Sequence, residues 1–181
     1  MDDHSVAPAV IWDDYVGFDP GVDRPLDEVT LAEARDYFDR FTQATNERPD
    51  VLRRLLSHNG VSLEAGEAGL DQLNAFYIDH VTGDPVSERL EPQWYVVARD
   101  IGIWMGNFLI ERADQLEWRL YTGGKTDVAF QRPVIMGFNV PNKKYNVDPE
   151  LDVVGLGVRA VQREPDYGYL RFRVENALAL A

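Results

Sequence analysis

The sequence predicts an α+β fold, with N-terminal helices and a long central helix packed on a small, mainly antiparallel sheet. Apolar residues recur at helical spacing in several stretches before residue 115. From Leu116 they alternate with polar residues, as in a half-buried strand. Helices followed by strands, without regular alternation of the two, are typical of the α+β class. The length of 181 residues favours one domain, which we place at residues 28–181, after an arm at residues 1–27.

The arm is predicted to be extended, because its three prolines and two glycines disfavour regular structure. It nevertheless carries four large apolar side chains, at Ile11, Trp12, Tyr15 and Phe18. Burying one such side chain is worth about 1.5–3 kcal/mol. We therefore expect the arm to lie on the domain as a strap, and a partner-binding segment is the alternative.

Three short helices are predicted before residue 82. Thr30 and Glu33 form a capping box, in which each side chain accepts a hydrogen bond from the other residue's backbone N–H. The first helix is therefore expected to begin there. The second is expected at residues 49–57 and the third at residues 70–81, since both have apolar residues at helical spacing and end beside turn residues.

Residues 92–114 are predicted to form the central helix. Pro92 suits the first helical position, where an N–H would have no partner in the helix. The polar residues of the helix fall within an arc of roughly 60°, so its other faces should be buried. These polar residues are Gln93, Asp100, Asn107, Glu111 and Asp114. Gly102 and Gly106 lie on one ridge, which predicts the close approach of a strand or of the third helix.

Two strands are predicted after the central helix. The first covers residues 116–121, and the Gly-Gly pair at residues 123–124 suits a tight hairpin turn. The second is expected within residues 128–138, with Pro133 marking a sheet edge or a bulge.

The C-terminal part is predicted to contain a helix and a last strand. An N-cap aspartate and a first-turn proline at Asp148 and Pro149 indicate a helix over residues 149–163. The glycines at 155 and 157 leave a strand at residues 153–161 open. Alternation at residues 169–174 favours a short final strand.

The net charge of −13 belongs entirely to the first half of the chain. Residues 1–92 contain 20 acidic and 7 basic residues, and residues 93–181 contain 11 of each. Such a surface disfavours nucleic acid and anionic membranes and favours a basic protein partner, although solubility alone also explains it. No run approaches the roughly 20 apolar residues of a membrane span, and the chain has no cysteine. The start lacks the positive charge of a signal peptide, so we expect a soluble, cytoplasmic protein.

Two glycine motifs look like nucleotide-binding loops but lack the required context. Residues 123–126, GGKT, lack the earlier glycine of a phosphate-binding loop, and a strand is predicted after them. Residues 155–160, GLGVRA, have the spacing of a dinucleotide fingerprint, but too little chain follows for a βαβ unit. The histidines show no metal-ligand spacing, and no serine lies in a nucleophile elbow. The sequence therefore predicts no cofactor, no metal and no catalytic residue.

The candidate site combines the polar stripe of the central helix with nearby aromatic and basic residues. A solvated face is the simpler interpretation of the stripe, and an acid pair for glycoside hydrolysis stays open. A binding pocket is expected between the central helix and the sheet. The candidate pocket or interaction residues are Asp100, Trp104, Asn107, Glu111, Trp118, Lys143, Lys144 and Tyr145.

Residues 98–138 resemble a diffuse group of bacterial domains of unknown function. The resemblance rests on a glycine-containing helix, ARDIGIWMGNFL, a strand with tryptophan, LEWRLY, and a strand with proline, QRPVIMGF. Some domains of this kind occur beside toxin genes as immunity partners. The resemblance covers less than a third of the chain and brings no catalytic motif.

Two functions are therefore predicted. The first is a non-enzymatic protein-interaction module, of the immunity type, that binds a basic partner through its acidic N-terminal half. The alternative is a small-molecule-binding protein or an unrecognised hydrolase. A homodimer is compatible with either function.

Overall fold

The computed structural model describes residues 9–87 and 89–181. This part of the chain contains six helices and one two-stranded antiparallel sheet, which confirms the α+β class. The elements are α1 (Leu31–Ala44), α2 (Arg48–His58), α3 (Glu67–His80), α4 (Pro92–Arg112), β1 (Glu117–Leu120), β2 (Pro133–Met136), α5 (Pro149–Val161) and α6 (Tyr169–Leu178). The first eight residues of the predicted arm lie outside the described residues. Across the described part, every helix is too short or too polar to cross a lipid bilayer.

Helix α4 is the centre of the fold, as predicted. It packs against α2, α5 and α6, and most of its apolar residues are buried. The polar stripe of the central helix was predicted to face solvent, and this is wrong at one position, because Asp100 is fully buried. Asn107 is half-buried, whereas Gln93, Glu111 and Asp114 are exposed.

The two glycines of α4 allow the close approaches that their spacing predicts. A Cβ atom at Gly102 would lie 2.8 Å from the backbone nitrogen of Glu150, so the start of α5 passes directly over this glycine. At Gly106 the indole ring of Trp118, from β1, occupies the space that a Cβ atom would need. The approach at Gly102 thus comes from α5 rather than from a strand or the third helix.

The sheet is shorter than predicted, and the tight hairpin is wrong. Glu117 pairs with Met136 and Leu120 with Pro133, so β2 covers only part of residues 128–138. Residues 121–132 form a longer loop of turns. The Tyr121 hydroxyl donates a hydrogen bond to Asp127 at 2.9 Å, which closes the loop on itself.

The C-terminal half ends in two helices. Residues 149–161 form a helix, as the N-cap signal predicts, so the alternative strand at residues 153–161 is wrong. The predicted strand at residues 169–174 is also wrong, because these residues begin α6. The buried side chains of α6 are Leu170, Val174 and Ala177, whose spacing is that of one helical face.

The arm lies on the domain through three of its four large apolar side chains. Trp12 packs edge-on against Trp94 with 5.3 Å between ring centroids. Phe18 packs against the aromatic residues of α1, and Tyr15 reaches α4. Ile11 is 57% exposed. These contacts are those of a strap, whereas the domain boundary at residue 28 stays a prediction.

Candidate functional site

Asp100 forms a buried ion pair that joins the arm, α2 and α4. Its carboxylate accepts hydrogen bonds from Arg48, through Nε at 2.8 Å and through Nη2, and from the Tyr15 hydroxyl at 2.7 Å. Arg48 also donates to the carbonyl oxygen of Val16 at 2.8 Å. Burial raises the pKa of the Asp100 carboxyl, although Arg48 and Tyr15 oppose the rise. The protein itself therefore occupies both carboxylate oxygens, and Asp100 fastens the arm to α4.

A second buried ionic network lies at the start of α5. Arg99 donates two hydrogen bonds of 3.2 Å to Glu150, and Arg132 donates one of 2.5 Å to Asp148. Burial raises the pKa of Asp148, whereas Arg132 favours its charged form. Within the described residues the buried Tyr37 hydroxyl has no hydrogen-bond partner. Sequence reasoning missed this network because its members come from three separate segments.

Three of the predicted site residues meet in one groove. Trp104, Asn107 and Glu111 line a groove of about 330 Å³, which we call the Trp104 groove. Its other described lining residues are Pro49, Arg53, Leu63, Glu64, Ala65, Gly66 and Phe108. The Trp104 groove therefore lies between α4, α2 and the loop before α3, and not between the central helix and the sheet.

Trp118 fills the side of α4 where the pocket was predicted. Its indole lies against Gly106 and packs edge-on against Phe41 at 4.9 Å between ring centroids. The indole Nε1–H donates to Asn107 Oδ1 at 3.1 Å, and Asn107 Nδ2 donates to the carbonyl oxygen of Thr45 at 2.8 Å. Trp118 and the Asn107 amide thus join elements within the fold, and the pocket between helix and sheet stays a prediction.

The Trp104 groove has an aromatic wall and a rim of mixed charge. The rings of Trp104 and Phe108 are stacked with 5.4 Å between centroids, and the Arg112 guanidinium lies 3.9 Å from the centroid of the Phe108 ring. Arg53 and Glu111 are charged groups at the rim, and both are exposed. An apolar wall with a few polar groups is the usual composition of a small-molecule site.

The basic and aromatic candidates of the 139–148 loop lie elsewhere. Tyr145 packs edge-on against Phe138 with 5.1 Å between ring centroids. Lys144 Nζ donates to the carbonyl oxygen of Gly123 at 3.3 Å, and Lys143 is exposed. The eight predicted residues thus do not form one site.

The arm, the start of α1 and the residues between them carry eight exposed acidic residues within a short stretch of the chain. We call residues 13–39 the acidic segment. Its acidic residues are Asp13, Asp14, Asp19, Asp23, Asp27, Glu28, Glu33, Asp36 and Asp39. All are exposed except Glu33, which is partly exposed and pairs with Arg24. Hydrogen bonds from the Thr30 backbone and hydroxyl, with Arg24, lower the pKa of Glu33 to about 2.

Part of the acidic segment is gathered around an open groove. Asp19, Asp23, Glu33 and Asp36 line this groove of about 520 Å³, together with four residues that include two arginines. The arm and α1 therefore present their carboxylates side by side at this place.

One group of residues in the described chain has the composition of a metal site. Donor atoms of Asp13, Asp14 and His58 lie within 4.8 Å of one another, and His58 Nδ1 is 3.3 Å from Asp13 Oδ2. All three residues are exposed. Sequence spacing could not indicate this group, because the arm and the end of α2 meet only in the folded chain.

No protein-family model, no curated protein and no solved structure matches this chain. The resemblance of residues 98–138 to bacterial immunity-like domains stays a prediction.

Proposed function

We propose that the protein is a non-enzymatic interaction module that binds a basic protein partner through the acidic segment. The observation that carries the proposal is the pairing of the carboxylates. Of the nine acidic residues in the segment, only Glu33 forms an ion pair with an arginine or lysine among the described residues. In residues 93–181, by comparison, five of the eleven acidic residues form ion pairs with arginine. They are Asp100, Glu117, Asp148, Glu150 and Asp152.

The unpaired carboxylates lie on an ordered part of the fold. Tyr15 anchors the arm on Asp100, and the backbone of Ile11 exchanges two hydrogen bonds with the Asn59 side chain, at 2.8 and 3.0 Å. A preorganised surface loses less conformational entropy on binding than a flexible tail. Like charges held close together repel one another, and a basic partner would relieve that repulsion.

This mode of binding predicts a strong dependence on salt. Opposite charges steer association and raise its rate, and added salt screens exposed charges over about 10 Å at 0.1 M. An immunity-type role, in which the bound partner is a basic toxin, extends the proposal through the resemblance of residues 98–138. A cytoplasmic location belongs to the same proposal and is consistent with the lack of cysteine.

Capture of partners from the source cell at low and high salt tests the proposal. The test variant carries Asp23→Asn, Asp27→Asn and Asp36→Asn. The matched control removes three exposed acids outside the segment, with Asp114→Asn, Glu164→Gln and Glu175→Gln. We expect a basic protein that is retained at low salt by the wild type and the control, is released at high salt, and is retained poorly by the test variant. Equal retention by both variants, or no salt-sensitive basic partner, would refute the proposal.

A second candidate function is the binding of a small planar molecule in the Trp104 groove. The stacked rings of Trp104 and Phe108 favour it. A panel of metabolites should then contain a compound that raises the melting temperature of the wild type but not of Trp104→Leu. A panel without any such compound would count against this candidate.

A further inference from the structure

A second groove, which we call the Trp12 groove, lies where the arm crosses the junction of α3 and α4. Its volume is about 330 Å³. The arm contributes Ala9, Val10 and Trp12, the end of α3 and the following residues contribute Asp79, His80, Val81 and Thr82, and the start of α4 contributes Glu91, Gln93 and Trp94. The Trp12 groove shares no described lining residue with the Trp104 groove. Its described lining contains two carboxylates and neither arginine nor lysine.

Hydrogen bonds hold the first carboxylate, Glu91, in position. The Nε1–H of Trp94, which is only 2% exposed, donates to Thr82 Oγ1 at 2.8 Å. The Thr82 hydroxyl donates in turn to Glu91 Oε2 at 2.6 Å, and Gln93 Nε2 donates to the same oxygen at 2.7 Å. Both bonds use Oε2, and the described residues provide no donor for Oε1. One oxygen of a fixed carboxylate is therefore available to a ligand.

The second carboxylate, Asp79, is held in the same way. Its Oδ1 accepts a hydrogen bond from the Tyr167 hydroxyl at 2.7 Å, and the described residues provide no donor for Oδ2. Beside it, His80 Nδ1 lies 2.8 Å from the carbonyl oxygen of Phe76. In the neutral ring this contact places the proton on Nδ1 and leaves Nε2 as a further acceptor. The polar atoms left for a ligand at Asp79 and Glu91 are thus carboxylate oxygens, and the neutral His80 ring adds a third acceptor.

The arm supplies an aromatic wall beside these acceptors. Trp12 is half-buried and packs against Trp94 at 5.3 Å and against Tyr15 at 5.9 Å between ring centroids. An indole ring attracts cations through its π electrons, by about 0.5–1 kcal/mol at an exposed site. An anion would meet two carboxylates here, and a neutral apolar ligand would leave their free oxygens without donors.

We propose that the Trp12 groove receives a lysine or arginine side chain of the basic partner. The inference rests on the proposed function and adds where one positive charge of the partner is bound. A volume of about 330 Å³ is near the lower end of ligand pockets, which suits one side chain better than a large cofactor. Carboxylates on two walls and an indole on the third match an elongated side chain with a charged end.

Titration of the full chain with capped tripeptides, followed by NMR, tests this inference. The probes are Gly-Arg-Gly and Gly-Lys-Gly, and the neutral control is Gly-Gln-Gly. We expect at least one cationic peptide to shift the indole N–H signals of Trp12 and Trp94 in a saturable way. Glu91→Gln and Asp79→Asn keep the acceptors for their internal hydrogen bonds, and each should weaken binding about two- to fivefold, as for a partly exposed ion pair. The control Asp36→Asn, in the acidic segment, should bind the peptides like the wild type.

Three results would overturn the inference. They are the absence of shifts with both cationic peptides, equal shifts with Gly-Gln-Gly, and unchanged affinity in both groove variants when circular dichroism shows them folded. The double variant Asp79→Asn/Glu91→Gln separates the inference from the proposed function. If it captures a basic partner as well as the wild type does, and with the same sensitivity to salt, the Trp12 groove is not the binding place and the proposed function still holds. Peptide binding that depends on the two carboxylates, with no basic partner captured from cells, would support the groove and refute the proposed function.

Discussion

Replacing Arg48 by methionine should destabilise the protein strongly. Methionine keeps much of the length of the side chain, but it removes the guanidinium that pairs with Asp100 and bonds the Val16 carbonyl. Removing one partner of a buried ion pair typically lowers the free energy of unfolding by about 3–5 kcal/mol, because the other charge stays buried. Asp100 is fully buried, and Tyr15 would be its one remaining side-chain partner among the described residues. For a chain of this length the loss corresponds to a fall in melting temperature of about 6–20 °C.

The pH dependence of this defect has a definite sign. Burial already raises the pKa of Asp100, and Arg48 opposes that rise. Without Arg48 the pKa of Asp100 rises further in the native state, whereas in the unfolded chain it stays near 3.9. Between these two values the native variant binds more protons than the unfolded variant, so its stability increases as the pH falls. The difference in stability between wild type and Arg48→Met should therefore narrow on acidification.

Urea denaturation of both proteins from neutral pH down to about pH 4 measures this effect. Arg53→Met is the matched control, since Arg53 lies on the same helix but pairs with Asp50 in solvent. We expect the control to change stability by no more than about 0.5 kcal/mol. A loss below about 1 kcal/mol for Arg48→Met, or a gap that widens on acidification, would show that the ion pair does not stabilise the fold as we argue.

The remaining predictions test packing. Gly106→Ala should lower the free energy of unfolding by about 1–3 kcal/mol, because its Cβ atom would collide with Trp118. Gly155→Ala, in an open part of α5, should instead raise it by up to about 1 kcal/mol. Leu170→Ala should cost about 2–5 kcal/mol and Phe172→Ala far less, because Leu170 is buried and Phe172 is 58% exposed. Chemical denaturation measures the free energy of unfolding of all four variants. Similar losses for Leu170→Ala and Phe172→Ala would favour a strand at residues 169–174, because residues two apart share a face in a strand but not in a helix.

The last of these comparisons shows why one element was predicted wrongly. Residues 169–174 alternate between apolar and polar types, which favours a strand over a short window. Extending the window to Ala177 reveals Leu170, Val174 and Ala177 at helical spacing. The start of α6 is stabilised by Asn74 Oδ1, which accepts a hydrogen bond from the backbone N–H of Leu170 at 2.9 Å. That partner lies on another helix, so no local signal could reveal it.

The central helix shows which features of the fold could be predicted from the sequence. Its apolar faces predicted a buried position, which is confirmed. Its two glycines predicted close contacts with a strand or the third helix, and the contacts come instead from α5 at Gly102 and from the Trp118 side chain of β1 at Gly106. The environment of Asp100 could not be predicted, because its hydrogen-bond donors Tyr15 and Arg48 are 85 and 52 residues away in the sequence. The prediction of a tight hairpin was wrong for a similar reason. Gln131 Nε2 donates hydrogen bonds to the carbonyl oxygens of Leu26 and Val29, which are distant in sequence, and so ties the loop to the end of the arm and the residues after it.

These long-range contacts relate the stability of the fold to the proposed binding surface. Tyr15 and Val16 are bonded to Asp100 and Arg48, and the neighbouring arm residues are Trp12 and the first carboxylates of the acidic segment. Arg48→Met should therefore loosen the arm without removing any negative charge. A partner would then have to order the arm on binding, which lowers affinity. The number of exposed carboxylates would be unchanged, so the salt dependence should stay close to that of the wild type. Neutralising carboxylates of the acidic segment should instead weaken the salt dependence of binding, because it removes negative charge. It should leave the arm ordered, because the contacts of Tyr15 and Val16 with Asp100 and Arg48 are kept.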